Sequence, residues 1–309
     1  VSARRYLSPL RYPGGKARMA GRLADIFAGQ VSLLEVEVWI EPFAGGAGAG
    51  LHLLETGAVS EVWLTEKHPA LAAMWATVLA EPEQLARRVE STMPDLDLWT
   101  ASLEAVGAAM DGTWAGERFE LAFAALVVNR CSRSGIVAPR VGPIGGKQQS
   151  GPWTIASRWN GDGLASRIRH LGTLAGRIRF TEGEAVTTIA DLDGSGIEEE
   201  VMLLVDPPYL REGNRLYANG MTEVEHRELA RVLNASPARW LLTYDDEDVV
   251  AQVLYPHRRV LAYQIPNTAN RARIATEHAV LSDNLWLPPD TVLLPGSSST
   301  WVRQYPIAA

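Results

Sequence analysis

Five consecutive apolar residues, Val201 to Val205, stand directly before Asp206-Pro207-Pro208-Tyr209. A strand without polar alternation must be covered on both faces, the condition of an interior strand in a parallel sheet flanked by helices. Such a sheet needs helical crossovers, so β and α segments should alternate around it. They do. Val36 to Ile40 reads as a short strand, Gly45 to Gly50 as a glycine-rich turn, and Leu51 as a helix start. Glu61 to Thr65 is a second strand ending at the acidic Glu66, with a helix from about Pro69. Thr222 and Glu225 form a capping box for a helix running to about Asn234, and Arg239 to Tyr244 and Glu277 to Leu281 are further strands. The pattern predicts an α/β fold with an open, mostly parallel, Rossmann-like sheet.

The rhythm breaks between about Glu81 and Trp159. Helices are expected around Leu96 to Met110 and Phe119 to Asn129, then a loop rich in Gly, Pro, Ser and Gln from Ser132 to Gly151. A long irregular stretch inside an α/β fold is usually an inserted functional piece. The expected organisation is a discontinuous sheet domain over 1–80 and 160–287, an insertion over 81–159, and a surface extension over 288–309.

The formal net charge of −7 over 309 residues has the wrong sign for a nucleic-acid binder. Its distribution does not. Residues 121–180 hold nine basic side chains against Asp162 alone, a net +8, so the remainder carries −15. A local field of one sign suits a phosphate backbone, although a solvated basic surface has the same composition. No apolar run approaches the ~18 residues of a membrane span, and the N-terminus lacks the apolar stretch of a signal peptide. The single cysteine, Cys131, excludes an internal disulfide, and no Cys/His spacing suits a metal. These features predict a cytoplasmic protein without membrane attachment or metal.

Glu41-Pro42-Phe43-Ala44-Gly45-Gly46-Ala47-Gly48-Ala49-Gly50 follows a strand and opens a helix. Glycines permit a sharp turn and close approach to a ligand, and a helix N-terminus offers unpaired N–H groups. By itself such a loop serves a tight structural turn as readily as a cofactor. Glu66, an acid ending the next strand some 20 residues on, sits where a ribose is bound in dinucleotide folds. A nicotinamide dinucleotide and an adenosyl-sulfonium donor both fit at this point.

Asp206-Pro207-Pro208-Tyr209 separates them. The Asp206 carboxylate and the Pro207 carbonyl are two acceptors held by successive prolines, and Tyr209 adds an aromatic face. A planar exocyclic amine has two protons to donate and a ring to stack, so the segment matches an aminopurine or aminopyrimidine. Asp-Pro alone would be an ordinary strand-ending turn.

In this order, Arg11-Tyr12-Pro13-Gly14-Gly15-Lys16, Glu41-Pro42-Phe43 with its glycines, and Asp206-Pro207-Pro208-Tyr209 resemble the motifs of the Dam-type adenine-specific DNA methyltransferases. Asn270-Arg271-Ala272-Arg273 leading to Glu277-His278-Ala279-Val280-Leu281 resembles that family's closing strand pair. The likeness covers most of residues 7–285, strongly at these motifs and loosely in the middle. It implies a domain binding S-adenosyl-L-methionine (AdoMet), a target-recognition insertion, and methyl transfer to N6 of adenine in double-stranded DNA at a short specific sequence. By matched position Tyr12, Lys16, Glu66 and Asp206 would contact AdoMet, with Phe43 and the Gly45 to Gly48 loop passing its methionine part. Asp206, Pro207 and Tyr209 would hold the flipped adenine. Position 66 is usually Asp in the family, and Glu184 falls where many relatives carry an acid contacting the cofactor base. Asn129-Arg130 and Gly135-Ile136 resemble the family's recognition hairpin, with Arg133 where an aromatic residue stands and Ala138 in place of a guanine-reading arginine. Arg130, Arg133, Arg140 and Lys147 are the candidates for DNA contacts, to bases or phosphates.

The chemistry implied is direct transfer without a covalent intermediate, so Cys131 reads as a small buried thiol rather than a nucleophile. Trp153 and Trp159 read as core residues before they read as wedges into DNA. Rival readings are an RNA adenine methyltransferase, a cytosine N4 enzyme (which more often carries Ser at the Asp206 position), and a non-catalytic DNA-binding relative. A nicotinamide dehydrogenase leaves Asp206-Pro207-Pro208-Tyr209 without a purpose. A cognate restriction endonuclease is the partner that a restriction system would add; the oligomeric state is not legible.

Overall fold

Apolar segments bounded by glycine, proline and acidic residues become strands here, and amphipathic ones become helices. The computed structural model describes residues 7–11, 16–30, 37–210, 220–267, 273–288 and 290–305. It divides into two compact units. The first comprises Val1–Ala3, Lys16–Thr65 and Gly183–Ala309, and the second Arg4–Gly15 and Glu66–Glu182. Among the described residues there are eight strands: β1 (Val38–Glu41), β2 (Glu61–Glu66), β3 (Ile178–Glu182), β4 (Val201–Val205), β5 (Arg239–Asp245), β6 (Arg259–Asn267), β7 (Arg273–Leu281) and β8 (Ser299–Arg303).

In the first unit the strands lie side by side in the order β2-β1-β4-β5-β7-β6-β8. β2, β1, β4 and β5 pair in parallel, whereas β5–β7, β7–β6 and β6–β8 are antiparallel. The expectation of an open α/β sheet holds; the parallel pairing is confined to one half of it, and Glu277 to Leu281, expected as a strand, lies in β7, which pairs with β6. β4 is buried at all five positions, as its unbroken apolar run requires. Its side chains pack with Leu229 and Leu233 of the helix Glu223–Ala235 and with Ile189 of the helix Ala185–Ala190. The capping box that opens the former is formed, Thr222 accepting from Glu225 N–H and Glu225 from Thr222 N–H. Val36, expected in the first strand, lies outside the described residues.

Chain order places β2 on one side of β1 and β4 on the other. The sheet therefore has a topological switch point between β1 and β4, where the carboxyl ends of open α/β sheets leave a crevice for ligands. Glu41 ends β1 and Asp206 follows β4, so both stand at that edge.

The tail does more than extend over the surface. β8 pairs with β6, Tyr263 opposite Ser299 and Val260 opposite Arg303, and Leu293 and Leu294 are buried. Its alternating half-buried and exposed residues suit an edge strand.

The second unit is mainly helical, with helices Pro69–Ala80, Pro82–Glu90, Leu96–Met110, Arg118–Cys131 and Gly161–Leu174. It contains the whole 81–159 stretch. Arg118–Cys131 is buried continuously from Leu121 to Asn129. A hairpin-like turn follows, closed by Ile144 N–H donating to the Cys131 carbonyl (2.8 Å) and Arg133 N–H to the Gly142 carbonyl (3.0 Å).

Candidate functional site

The glycine-rich turn after β1 is built around Glu41. Its Oε1 accepts from the Gly50 N–H (2.5 Å) and from Trp39 Nε1 (3.0 Å). A carboxylate arriving from the strand thus satisfies one of the open N–H groups of the helix Gly48–Thr56. This is why the helix starts at Gly48, three residues before the expected Leu51. The first turn requires glycine: a Cβ at Gly50 would lie 2.8 Å from Glu41 Oε1 and 3.0 Å from Val62 Cγ1, and one at Gly48 would lie 2.8 Å from the Ala17 Cβ. Gly45 and Ala47 both take left-handed backbone conformations, at φ 46° and 47°, a conformation that costs alanine about 1–2 kcal/mol. Burial, followed by the nearby charge of Asp206, pushes the Glu41 carboxyl up to about 7 against the pull of its two hydrogen bonds.

Next to this edge a polar network lies within the first unit. Lys16, only 5% exposed, places Nζ 2.8 Å from Asp206 Oδ1 and donates to the Tyr209 hydroxyl at 2.7 Å. Thr243 of β5 donates to the same Asp206 Oδ1 (2.6 Å). The Tyr209 hydroxyl has one proton and two acceptors within reach, Glu277 Oε2 at 2.9 Å and Asp206 Oδ1 at 3.2 Å; the shorter contact is with Glu277. Tyr263 also donates to Glu277 Oε2, from the position directly opposite it in the β6–β7 pairing. Burial first, then the carboxylates of Asp206 and Glu277, holds the Tyr209 phenol well above its ordinary value. Burial and Glu277 do the same for Tyr263. Both are donors at neutral pH. All donors to Asp206 fall on Oδ1, and among the described residues none meets Oδ2. The side chain is 22% exposed, so one acceptor oxygen is fixed and the other is available.

The predicted residues fare differently. Lys16, Asp206 and Tyr209 meet directly. Pro207 is buried behind them in the chain, and Phe43 and Tyr209 pack against the sheet's apolar core. Gly45 and Gly48 make the turn just described. Tyr12 lies outside the described residues, as do Asn270 to Ala272. Glu184 immediately precedes the helix Ala185–Ala190, its carbonyl accepting from Thr188 N–H, and its side chain is exposed. In the second unit, Glu66 Oε1 accepts from His68 N–H (2.9 Å) at the start of the helix Pro69–Ala80. Sequence reasoning gave no role to Thr243, Tyr263 or Glu277. The one available signal was Glu277, an acid inside a strand that would otherwise be apolar on that face.

Of the basic candidates, all in the second unit, Arg133, Arg140 and Lys147 are exposed on the loop and Arg130 is half-buried at the helix end. Asn129 ties the hairpin to the N-terminal segment, donating to the Arg11 (2.8 Å) and Gly135 (2.5 Å) carbonyls and accepting from Arg11 N–H. Trp159 is core, as expected, 8% exposed and donating to the Thr92 carbonyl. Trp153 is not: it is 68% exposed. The side chain of Gln149 spans the loop beside it, donating to the Ile144 and Gly146 carbonyls and accepting from Ile155 N–H. Cys131 is buried, and burial raises its thiol to about 12, so it is no nucleophile at neutral pH.

No family model matches this chain, and no curated protein matches it. A similar solved structure is the rRNA methyltransferase AviRa from Streptomyces viridochromogenes, 16% identical over 89% of this chain and 87% of that one, with a TM-score of 0.41. Likeness at that level decides nothing about activity, which rests on the residues themselves. Among the described residues no His/Cys/Asp/Glu group could hold a metal ion, and no helix is long and apolar enough to cross a membrane.

Proposed function

We propose that the chain is an AdoMet-dependent methyltransferase acting on N6 of adenine in double-stranded DNA, with the base flipped against Asp206-Pro207-Pro208-Tyr209. The observation that carries this reading is the Asp206 carboxylate at the switch point, one oxygen fixed by Lys16 and Thr243 and the other unengaged. An exocyclic amine donates two protons, and Asp206 Oδ2 with the Pro207 carbonyl would accept them. Those bonds favour a more pyramidal, electron-rich nitrogen aimed at an electrophile, which is positioning plus electrostatic stabilisation.

The donor set fits AdoMet. The N–H groups of Gly48 and Ala49, which meet no acceptor among the described residues, suit the carboxylate of its methionine end. Phe43 and the left-handed Gly45 would shape the passage beside it, and Tyr12, Lys16, Glu66 and Glu184 are the further proposed contacts. AdoMet supplies a methyl group on a positively charged sulfur. Asp206 places negative charge close to where that group must sit, and Lys16 keeps the carboxylate from turning away.

Arg130, Arg133, Arg140 and Lys147 would serve the DNA. The test is transfer of label from AdoMet to matched duplex DNA and RNA. Label in DNA alone is expected, retained at N6 of adenine after digestion to nucleosides. Label only in RNA would move the activity to the RNA reading, and label in neither would end it. Asp206→Ala should abolish transfer, a loss of at least ~10²-fold, while salt-sensitive DNA binding persists; unchanged turnover removes Asp206 from its role.

A further inference from the structure

Several arginines of the second unit find carboxylates. In the second unit Arg169 pairs with Glu83 and Glu90, Arg87 with Glu83, and Arg118 with Glu182. One group there does not. Arg130 donates from Nε to the Arg158 carbonyl (3.2 Å) and from Nη1 to the Pro9 carbonyl (3.5 Å). Arg11 donates from Nη1 to the Ser132 carbonyl and Arg158 from Nη1 to the Arg133 carbonyl, both at 3.3 Å. Every acceptor is a peptide oxygen. Among the described residues no carboxylate lies within ion-pair distance of Arg11, Arg130 or Arg158, and Nη2 of each meets no acceptor.

These guanidiniums repel one another. Burial first, then the charges of Arg167 and Arg11, brings Arg130 down to about 10; burial and Arg158 lower Arg11. Both remain cations at neutral pH. The carbonyls engage two nitrogens of Arg130 and one each of Arg11 and Arg158, so the arrangement is anchored without being neutralised. Arginine's planar fork matches two oxygens of a tetrahedral anion, and a preorganised set loses little side-chain freedom on binding one.

We infer that Arg11, Arg130 and Arg158 form a seat for a backbone phosphodiester of duplex DNA. The inference rests on the reading of the substrate as nucleic acid. It adds Arg11 and Arg158 to the four basic residues taken above as candidates for DNA contacts, and assigns Arg130 to the backbone rather than to a base edge. A phosphate there positions the duplex without reading sequence.

The test uses the whole chain and a fluorescently labelled duplex, with affinity followed across roughly 0.05–0.2 M salt. Each neutralised phosphate contributes about 0.9 to the slope of log affinity against log salt. Arg158→Gln should lower the slope by about that amount while its melting temperature stays level or rises, because a repelling charge has gone. Arg158→Lys should keep most of the slope. Inorganic phosphate should raise the melting temperature of the wild type more than that of Arg158→Gln. An unchanged slope overturns the seat, as does a slope that falls only together with the melting temperature. Stabilisation by inorganic phosphate with no change in slope assigns the site to a free anion and overturns the DNA assignment, as does a slope change seen with duplex RNA alone. The two readings fail separately: a wild type that methylates DNA while Arg158→Gln keeps its slope loses only the seat. A wild type that shows the expected salt response but transfers no methyl group loses only the activity.

Discussion

Glu41 is the acid whose ionisation is tied most directly to the fold around the site, and Glu41→Gln measures that tie. The folded carboxyl sits at about 7 where an unburied glutamate sits at 4.5. That gap corresponds to roughly 3 kcal/mol. The folded chain holds this proton more tightly than the unfolded chain, so between those values the native state carries the extra proton. Stability from this group is therefore greatest below pH 4.5 and falls as pH rises through the window to about 7. A glutamine in its place would keep an acceptor oxygen for Gly50 N–H and Trp39 Nε1 but carries no charge. Urea unfolding at a series of pH values should give two stability curves that diverge: the variant gains on the wild type as pH rises from 4.5 to 7, approaching about 3 kcal/mol, and then runs parallel. Asp206 raises the Glu41 value, so Asp206→Asn should move the wild-type inflection to lower pH. Parallel curves over the whole range would show that Glu41 is already ionised in its buried place, and would refute the reasoning.

Two further expectations concern the elements that carry the site. Glu277→Gln should lower kcat roughly tenfold, the scale of one charged hydrogen bond, with KM for DNA little changed, because Glu277 positions Tyr209 and Lys16 rather than touching substrate. Lys16 keeps its nearer counter-ion Asp206, at 2.8 Å against 3.7 Å, so the melting temperature should change little, and equal losses in kcat and stability would make Glu277 merely structural. Thr222→Ala removes the capping box of the helix Glu223–Ala235 and should cost about 1 kcal/mol in denaturant unfolding without altering methyl transfer per folded molecule; no change in midpoint would mean the cap is dispensable.

Elements were legible where one local rule decided them. The unbroken run Val201 to Val205 announces a doubly covered strand, and Thr222 with Glu225 announces a helix start. The antiparallel half of the sheet was harder, because β6 and β8 depend on pairing with strands distant in sequence. The tail's Ser299–Arg303 alternates only weakly and becomes a strand because β6 offers it an edge. At the site, Lys16, Asp206 and Tyr209 stand in recognisable short motifs. Thr243 and Tyr263 do not, and Glu277 stands in a motif read only as a strand, since each lies in its own strand and is joined to the others only by the order β5-β7-β6. Trp153 misled for the same reason: an aromatic residue is normally buried, and only the Gln149-spanned loop leaves it in solvent.

The Lys16 network also distinguishes a site built for chemistry from one built for stability. Burying a lysine against two carboxylates rarely stabilises a protein more than apolar packing would, because desolvation offsets the attraction. Removing one partner alone is worse, typically by about 3–5 kcal/mol, since a charge is left without its counter-ion. Lys16→Met should therefore destabilise by about that amount and abolish transfer. Lys16→Met combined with Asp206→Leu removes the shorter of the two Lys16 ion pairs, at 2.8 Å, and should recover most of the lost stability while remaining inactive. If the double variant were as unstable as the single one, the pair would be holding the fold together, and its place at the sheet's carboxyl edge would no longer argue for catalysis.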